Sequence, residues 1–309
     1  MTKYRVVSID GGGIRGLVTT ILLQRIVATP GFENFLNSMD FVAGTSTGGL
    51  LALAIAHQID LGEIRDIYVK KGPKIFEDSW LDHLVDLGKL RGADYDIKPL
   101  RRELQKIFGN TSLGQLKKLV LVPAFDLDNE EPKRRTWKPK LFHNFAGPDN
   151  DRAALAAKVG LYTAAAPTYF PSVDGYVDGG VYASNPAMCA LAQTQDKRYS
   201  PTPSLDEVVL LSLGTGTSLQ YIKGRSHDWG YAQWVKPLIS LMLDGTAGIG
   251  DYQCKQILGQ RYHRLAPIFP EGVTVPMDDV GKIPYMIEFA EKLNIDETLA
   301  WLRKRWVPA

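Results

Sequence analysis

Cysteine is scarce in this sequence, with only Cys189 and Cys254 among 309 residues. Two cysteines cannot form the disulfide framework of a small secreted domain, and they lack the spacing of zinc ligands. We therefore expect two reduced thiols in a cytoplasmic protein. No uninterrupted apolar stretch approaches the roughly 18 residues of a transmembrane helix. The N-terminus leads straight into a strand-like run and does not resemble a signal peptide.

An excess of charge of one sign is also missing. Lys and Arg number 36 against 34 Asp and Glu, which gives a formal net charge of +2 and no support for a nucleic-acid partner. The five histidines are not paired at metal-ligand spacing on one element, so we expect neither a metal site nor another cofactor. What the chain does have is 45% hydrophobic and 23% charged residues, the composition of a folded globular protein.

Strand-like and helix-like patterns alternate along the chain. Runs that predict strands lie at 6–9, 40–43, 119–122 and 208–211, and runs that predict helices at 17–26, 48–56, 286–293 and 297–305. A proline-containing segment at 135–142 is suited to pair with the preceding strand as an edge hairpin. The alternation predicts a doubly wound α/β fold with a mostly parallel sheet and helices on both faces. No repeat or long linker interrupts it, so we expect one domain over 1–309.

A run of glycines lies between the first predicted strand and the first predicted helix, in the segment DGGGIRG at 10–16. Consecutive glycines allow several backbone N–H groups to point at one spot, and the helix N-terminus behind them adds a partial positive charge. The loop therefore suits an anion or a developing oxyanion. Three of the glycines also satisfy the dinucleotide-binding pattern G-x-G-x-x-G. That pattern needs an acidic residue after a second strand, for which only Glu33 and Asp40 are available.

A serine flanked by glycines occupies the next strand-to-helix junction, in the segment GTSTG at 44–48. Gly44 and Gly48 tolerate the sharp turn that lifts the Ser46 side chain clear of the sheet, as in a nucleophile elbow. The alternative is a Ser/Thr-rich helix N-cap without catalytic function. The strand, turn and apolar helix favour Ser46 as a nucleophile.

A third junction contains the segment DGG at 178–180, just before the helix start at Asn185-Pro186. By itself this segment is typical of an ordinary turn. In a doubly wound sheet, however, such junctions cluster at the carboxyl ends of the strands, where active sites form. We therefore expect Asp178 to lie on the same edge of the sheet as Ser46.

Taken together, these three segments resemble the signature blocks of the patatin-like phospholipases, in the same order and with similar spacing. The segment AAPTYFP at 165–171 resembles the stretch that precedes the aspartate in that family. The resemblance covers about residues 4–216, and the remainder, about 217–309, is predicted to be helical and has no recognisable motif. Leu161 and Ala164 stand where many members have arginine and serine.

The resemblance implies a patatin-like fold and hydrolysis of acyl esters of (phospho)glycerolipids at a membrane or micelle surface, without a cofactor. It also implies a catalytic dyad of Ser46 and Asp178. The other expected site residues belong to the glycine loop that forms the oxyanion hole, to the elbow and to the segment after the aspartate: Gly11, Gly12, Gly13, Arg15, Gly16, Gly44, Gly48, Gly179 and Gly180. Arg15 is expected to hold this loop, to meet a phosphate, or simply to lie on the helix surface.

A Ser–Asp–His esterase is the rival hydrolase, because the order Ser46, Asp178, His263 is formally available. In that fold the elbow follows several strands, whereas Ser46 follows only the second predicted strand, and the glycine loop would have no role. A non-catalytic protein with the same fold is a further alternative. We would expect it to have lost Ser46 or Asp178.

Two other segments have both a functional and a structural interpretation. The stretch KRRTWKPK at 133–140 combines five cations with Trp137, and suits either anionic lipid headgroups or an edge hairpin protected by its charges. The stretch WLDHLVDL at 80–87 has near-helical apolar spacing and suits either a lid over the site or a packing helix.

Overall fold

A seven-stranded sheet forms the centre of this computed structural model, which describes residues 3–76 and 93–306. The strands are β1 (Tyr4–Ile9), β2 (Phe41–Gly44), β3 (Leu119–Asp126), β4 (Lys138–His143), β5 (Tyr176–Asp178), β6 (Val208–Leu213) and β7 (Tyr262–Leu265). Their order is β4-β3-β2-β1-β6-β7, and β5 pairs with β3. Strands β3, β2, β1, β6 and β7 are parallel to one another, whereas β4 and β5 run antiparallel to β3.

Helices cover both faces of the sheet. They are α1 (Gly16–Ala28), α2 (Thr47–Ala56), α3 (Leu61–Asp66), α4 (Gly72–Ile75), α5 (Lys98–Phe108), α6 (Ala156–Ala164), α7 (Gly180–Ala183), α8 (Ala187–Thr194), α9 (Tyr231–Leu258), α10 (Ile283–Lys292) and α11 (Asp296–Arg305), with a π-helical turn, Ile67–Lys71, between α3 and α4. None of the described helices is both long and apolar enough to cross a bilayer.

Alternation along the strands divides the core into two layers. Val7 and Ile9 of β1 belong to the larger layer, which includes residues of α1, α2, α5, α6 and α10. Val6 of the same strand belongs to the smaller layer, which includes residues of α8 and α9. Because successive side chains of a strand point to opposite faces, one buried strand supplies both layers. The predicted doubly wound α/β class is confirmed.

The predicted strands correspond to β1, β2, β3 and β6, and the proline-containing segment forms β4 at the sheet edge, antiparallel to β3. The part of the chain at 217–309, predicted to be helical, contains helices α9, α10 and α11 but is not helical throughout. Strand β7 lies in this part of the chain and extends the sheet through parallel pairing with β6, in the register Leu211↔His263. Strand β7 is only four residues long, and its sequence, YHRL, has too little apolar alternation to predict a strand.

The path of β3 determines where β5 lies. On one side, β3 pairs with β4 from Leu121 to Asp126. On the other side, it pairs first with β2, up to Leu121, and then with β5, from Ala124 onward. A strand has two edges only, so β5 must lie in line with β2, just past its carboxyl end. This places Asp178, the partner of Ala124, beyond the end of β2.

Candidate active site

Two of the predicted junctions begin side by side. Ile9, the last residue of β1, pairs with Gly44, the last residue of β2. The glycine loop therefore starts next to the turn that contains Ser46. The carboxyl ends of parallel strands form one edge, and this edge is where an α/β fold builds its sites.

The turn at Ser46 is a strained strand-to-helix connection. Ser46 has φ 56° and ψ −126°, values that a non-glycine residue rarely adopts. A Cβ on Gly44 would lie 1.9 Å from the carbonyl oxygen of Gly48, and a Cβ on Gly48 would lie 2.3 Å from that of Ile9. Only glycine fits at either position, so Ser46 lies on a tight turn of the kind that the predicted nucleophile elbow needs.

Thr163 of α6 holds this elbow, and sequence reasoning missed it. Its hydroxyl accepts a hydrogen bond of 2.8 Å from the Ser46 amide and donates one of 2.6 Å to the carbonyl of Pro123 on β3. The adjacent Thr45 hydroxyl donates to the carbonyl of Ala183, at 2.6 Å. Threonines are common in α/β folds, and only their position in space identifies these two as supports of the turn.

Asp178 is buried, with 5% of its surface exposed, and its carboxylate accepts a hydrogen bond of 2.7 Å from the amide of Gly180. The hydroxyl of Ser46 lies near enough to this carboxylate to favour its charged form. Burial raises its pKa to about 7, although the Ser46 hydroxyl and the Gly180 amide favour the charged form. Gly179 packs against β3, where a Cβ would lie 2.4 Å from the carbonyl oxygen of Pro123. The structure thus brings together the serine and the aspartate that the sequence places 132 positions apart.

The glycine loop presents two amides that donate no hydrogen bond within the described part of the chain, those of Gly12 and Gly13. By contrast, the Gly11 amide donates to the carbonyl of Ser184 at 2.9 Å, and the Ile14 amide to that of Met277 at 2.7 Å. Of the three glycine amides expected to meet an oxyanion, Gly11 is therefore already engaged. The neighbouring pair remains available.

Arg15 and Gly16 follow this loop. The Arg15 side chain is half-buried, and its Nε donates to the carbonyl of Gly12 at 3.3 Å. A Cβ on Gly16 would lie 2.3 Å from the Thr47 hydroxyl, which bonds to Tyr68. Both residues therefore contribute to the shape of the loop.

A cavity of about 370 Å³ opens at these groups. Its polar end is formed by Ser46, Asp178 and the glycine loop. The rest is mainly apolar and lies between helices α2 to α6, with Leu50, Ala54, Ile64, Ile75, Leu104 and Phe108 among its lining residues. Ala164 also lines it, whereas Leu161 is buried elsewhere in α6 and does not.

The four described histidines do not line this cavity. His143 packs against Phe145 and Tyr199, and His57 packs against Phe108. His263 hydrogen-bonds Thr298, and His227 lies in an exposed loop beside Lys223. The fifth, His83, lies outside the described residues. The structure therefore provides no histidine, among those it describes, for the rival triad.

The structure also gives no support to the interpretation of the glycine loop as a dinucleotide-binding turn. Glu33 bonds the amide of Gly31 in an exposed turn. The Asp40 carboxylate accepts from the amide of Arg5, near the start of β1 and far from its carboxyl end. Neither residue is positioned to meet a ribose at the glycine loop. Among the described residues, no group of three potential metal ligands comes together either.

The basic segment 133–140 forms part of the β3–β4 hairpin, and three of its five cations pair with nearby carboxylates. Arg135 pairs with Asp128, Lys138 with Glu131, and Lys140 with Asp151. Trp137 is 69% exposed. The pairing favours the interpretation as a charged edge hairpin. The segment 80–87 lies outside the described residues.

Several known proteins are similar to this chain. The family model described as patatin-like phospholipase matches residues 7–191. The cGAMP-activated phospholipase of Pseudomonas aeruginosa (strain BWHPSA011 / Pa011) is 30% identical over 270 residues, which cover 85% of this chain and 78% of that protein. Probable inactive patatin-3-Kuras 1 of Solanum tuberosum is 30% identical over 335 residues, which cover 93% of this chain and 85% of that protein. The crystal structure of VipD from Legionella pneumophila matches 99% of this chain and 67% of its own, at 12% identity and a TM-score of 0.44.

The raised pKa of Asp178 predicts that Asp178→Asn stabilises the folded protein above neutral pH. A carboxyl whose pKa is 3.8 when unfolded and about 7 when folded opposes folding as pH rises through that interval, by up to about 4 kcal/mol. Asparagine removes this cost and still accepts from Gly180. Urea unfolding at pH 8 should show the gain, and at pH 4 the two proteins should be nearly equal.

Asp174→Asn is the matched control for this measurement. Hydrogen bonds from Tyr162 and Lys158 lower the pKa of Asp174, so its ionised form is favoured by folding. Removing that charge should leave stability at pH 8 unchanged or reduced. A loss of stability in Asp178→Asn at pH 8 would contradict the costly burial of its charge.

Proposed function

Because the chain belongs to the patatin-like phospholipase family, we propose that it is a lipid acyl hydrolase in which Ser46 is the nucleophile and Asp178 the general base. The observation that supports this most directly is that the strained serine and the buried aspartate lie together at the polar end of an apolar cavity. This chain has both Ser46 and Asp178, whereas we expect a non-catalytic protein with the same fold to have lost one of them.

The proposed reaction begins when Asp178 takes the hydroxyl proton of Ser46 as its Oγ attacks the ester carbonyl. An ordinary aspartate with a pKa near 3.9 is a weak base for this step. A pKa of about 7 is closer to the operating pH, where general bases are most effective. The proton then passes to the departing alkoxide, and water hydrolyses the acyl-enzyme in a second round.

The oxyanion of the tetrahedral intermediate would be met by the amides of Gly12 and Gly13. They donate to no other described group and are fixed by the bonds of Gly11 and Ile14 on either side. Each well-placed donor of this kind is worth roughly 3 kcal/mol. Since Arg15 bonds the carbonyl of Gly12, we assign it to holding this loop.

The cavity supports an acyl ester of a glycerolipid as the substrate class. Its apolar part, between helices α2 to α6, offers an apolar surface to an acyl chain whose carbonyl lies at Ser46. Backbone donors and a carboxylate base suit an ester, whose alkoxide is easier to expel than an amine. We propose an enzyme that needs no cofactor.

Helix α9 provides a surface through which the enzyme could meet aggregated lipid. Its outward face exposes five large apolar side chains, each 43% to 60% exposed, and they are Leu238, Leu241, Met242, Ile249 and Tyr252. At 100° per residue these positions share one side of the helix, opposite buried Cys254 and Leu258. Met242 also lines the cavity. We therefore propose a cytoplasmic enzyme that contacts membranes or micelles peripherally.

Substitutions in the proposed dyad are expected to abolish hydrolysis of a soluble ester without unfolding the protein. Ser46→Ala removes the nucleophile, and Asp178→Asn keeps the shape of the side chain but cannot take the proton. The double variant should lose little more than either single one, because the two residues act as a unit. Initial rates and thermal unfolding of each variant measure both properties.

The histidines are the matched controls for the dyad. Each should retain most activity when changed singly to Gln: His57, His83, His143, His227 and His263. A folded histidine variant that lost as much activity as Ser46→Ala would support the triad instead.

The pKa of Asp178 predicts an acidic limb in the pH profile of kcat/KM. Below about pH 7 the carboxyl is protonated and cannot accept the serine proton, so kcat/KM should fall about tenfold per pH unit. Above pH 7 it should level off. Rates on a soluble ester between pH 4 and 9, corrected for spontaneous hydrolysis, measure the limb. A midpoint near pH 4 would contradict a buried base.

Gly12→Ala should lower kcat by about 100-fold or more, if the loop meets the oxyanion. The added Cβ would lie 2.1 Å from the Thr215 hydroxyl, so the loop must shift. Gly245→Ala in α9 is the control, because a Cβ there meets no atom within 4 Å. A folded Gly12→Ala variant with normal turnover would remove the loop from the mechanism.

A further inference from the structure

Arg264, on β7, forms a buried ion pair with the first residue of the glycine loop. Its Nη2 lies 2.6 Å from Oδ2 of Asp10, and its Nη1 lies 3.2 Å from Oδ1 of the same carboxylate. The Nη1 also donates to the hydroxyl of Ser212 on β6, at 2.7 Å. The two charged side chains are 16% and 7% exposed. This is the two-pronged geometry that only arginine provides.

Asp10 is the point at which β1 becomes the loop. Its amide donates to the carbonyl of Leu213, and Gly11 accepts from the Thr215 hydroxyl at 2.7 Å. Both partners lie at the end of β6, beside β7. Within the described residues, Arg264 is the one side chain that forms an ion pair with Asp10. The orientation of the loop thus depends on a cation supplied from the C-terminal third of the chain.

Loss of this cation would leave a buried carboxylate without a partner. Burial raises the pKa of Asp10, and Arg264 is the strongest influence in the opposite direction. An uncompensated buried charge either takes up a proton or moves toward water. Either response disturbs the backbone of Asp10, two residues before the amide of Gly12. Displacements of about 1 Å at a catalytic group can cost 100-fold in rate.

We propose that Arg264 is a positioning residue of the reaction, which fixes Asp10 and thereby holds the amides of Gly12 and Gly13 where the oxyanion develops. The inference rests on the proposed function. Arg264 lines the cavity, but both of its terminal nitrogens already bond to protein groups. It therefore acts through Asp10.

The test measures transition-state and ground-state binding separately in Arg264→Gln and Arg264→Lys. The readouts are kcat and KM on a soluble ester, the inhibition constant of a trifluoromethyl ketone lipid analogue and the Kd of a fatty acid. The ketone's adduct with a serine hydroxyl is an oxyanion, whereas the fatty acid occupies only the cavity. Arg261→Gln is the matched control, since Arg261 bonds the carbonyl of Leu205 and pairs with Asp206 away from the cavity.

In Arg264→Gln we expect kcat to fall about 10- to 100-fold and the ketone to bind more weakly by a similar factor. KM and the fatty-acid Kd should change less than about threefold, because ground-state contacts remain. Arg264→Lys keeps the charge but not the paired geometry, and its kcat should be intermediate. Arg261→Gln should match the unaltered protein.

Three outcomes would overturn the proposal. They are a folded Arg264→Gln variant with normal kcat, a rise in KM without a change in kcat, and equal weakening of the ketone and the fatty acid. If Arg264→Gln does not fold, Arg264→Lys decides, and a normal kcat in that variant overturns the proposal as well. Ser46→Ala, assayed in parallel, reports separately on the proposed function, because residual activity there contradicts the nucleophile and not the ion pair.

Discussion

The active site depends on one constraint in the sheet, namely that β3 continues past the end of β2. The additional residues of β3 need a partner on the edge that β2 leaves open, and β5 satisfies their backbone groups in antiparallel pairing. Asp178 is the last residue of β5, opposite Ala124. The aspartate is therefore held by strand pairing directly beyond the turn that contains Ser46. A loop of the same length would not restrict it in this way.

Both proposed catalytic residues are held in states that are unfavourable by themselves. Ser46 has a positive φ, and Asp178 is a carboxyl shielded from water. Each is held by groups from other elements: Thr163 on α6 bonds the Ser46 amide, and the Gly180 amide bonds the Asp178 carboxylate. The same carbonyl of Pro123 accepts from Thr163 and packs against Gly179. One residue of β3 thus supports both halves of the dyad.

The C-terminal third of the chain also contributes to the edge of the sheet where the parallel strands end, although it lies outside residues 7–191, which match the family model. Strand β7 brings Arg264 to Asp10, and the carbonyl of Met277 accepts from the Ile14 amide. The glycine loop is therefore fixed on one side by Ser184, six residues after Asp178, and on the other by residues beyond position 260. Long-range contacts of this kind make the loop rigid without adding recognisable motifs to the sequence.

The sequence by itself determined the α/β class and the strands β1, β2, β3 and β6, and it singled out Ser46, Asp178 and the glycine loop as candidate site residues. These features are local, since glycine spacing, apolar runs and strand-to-helix junctions are each visible within a short continuous segment of the sequence. It did not reveal β7, and for α9 it predicted only that this part of the chain is helical, without the bounds of the helix.

Only the tertiary structure decided which groups meet. It brought Asp178 and Ser46 to one end of the same cavity, engaged the amide of Gly11 while leaving those of Gly12 and Gly13 available, and brought Thr163 and Arg264 to the site. A threonine or an arginine has the same local pattern wherever it lies. Its role follows from partners more than 100 positions away, and those are set by the pairing of strands and the packing of helices.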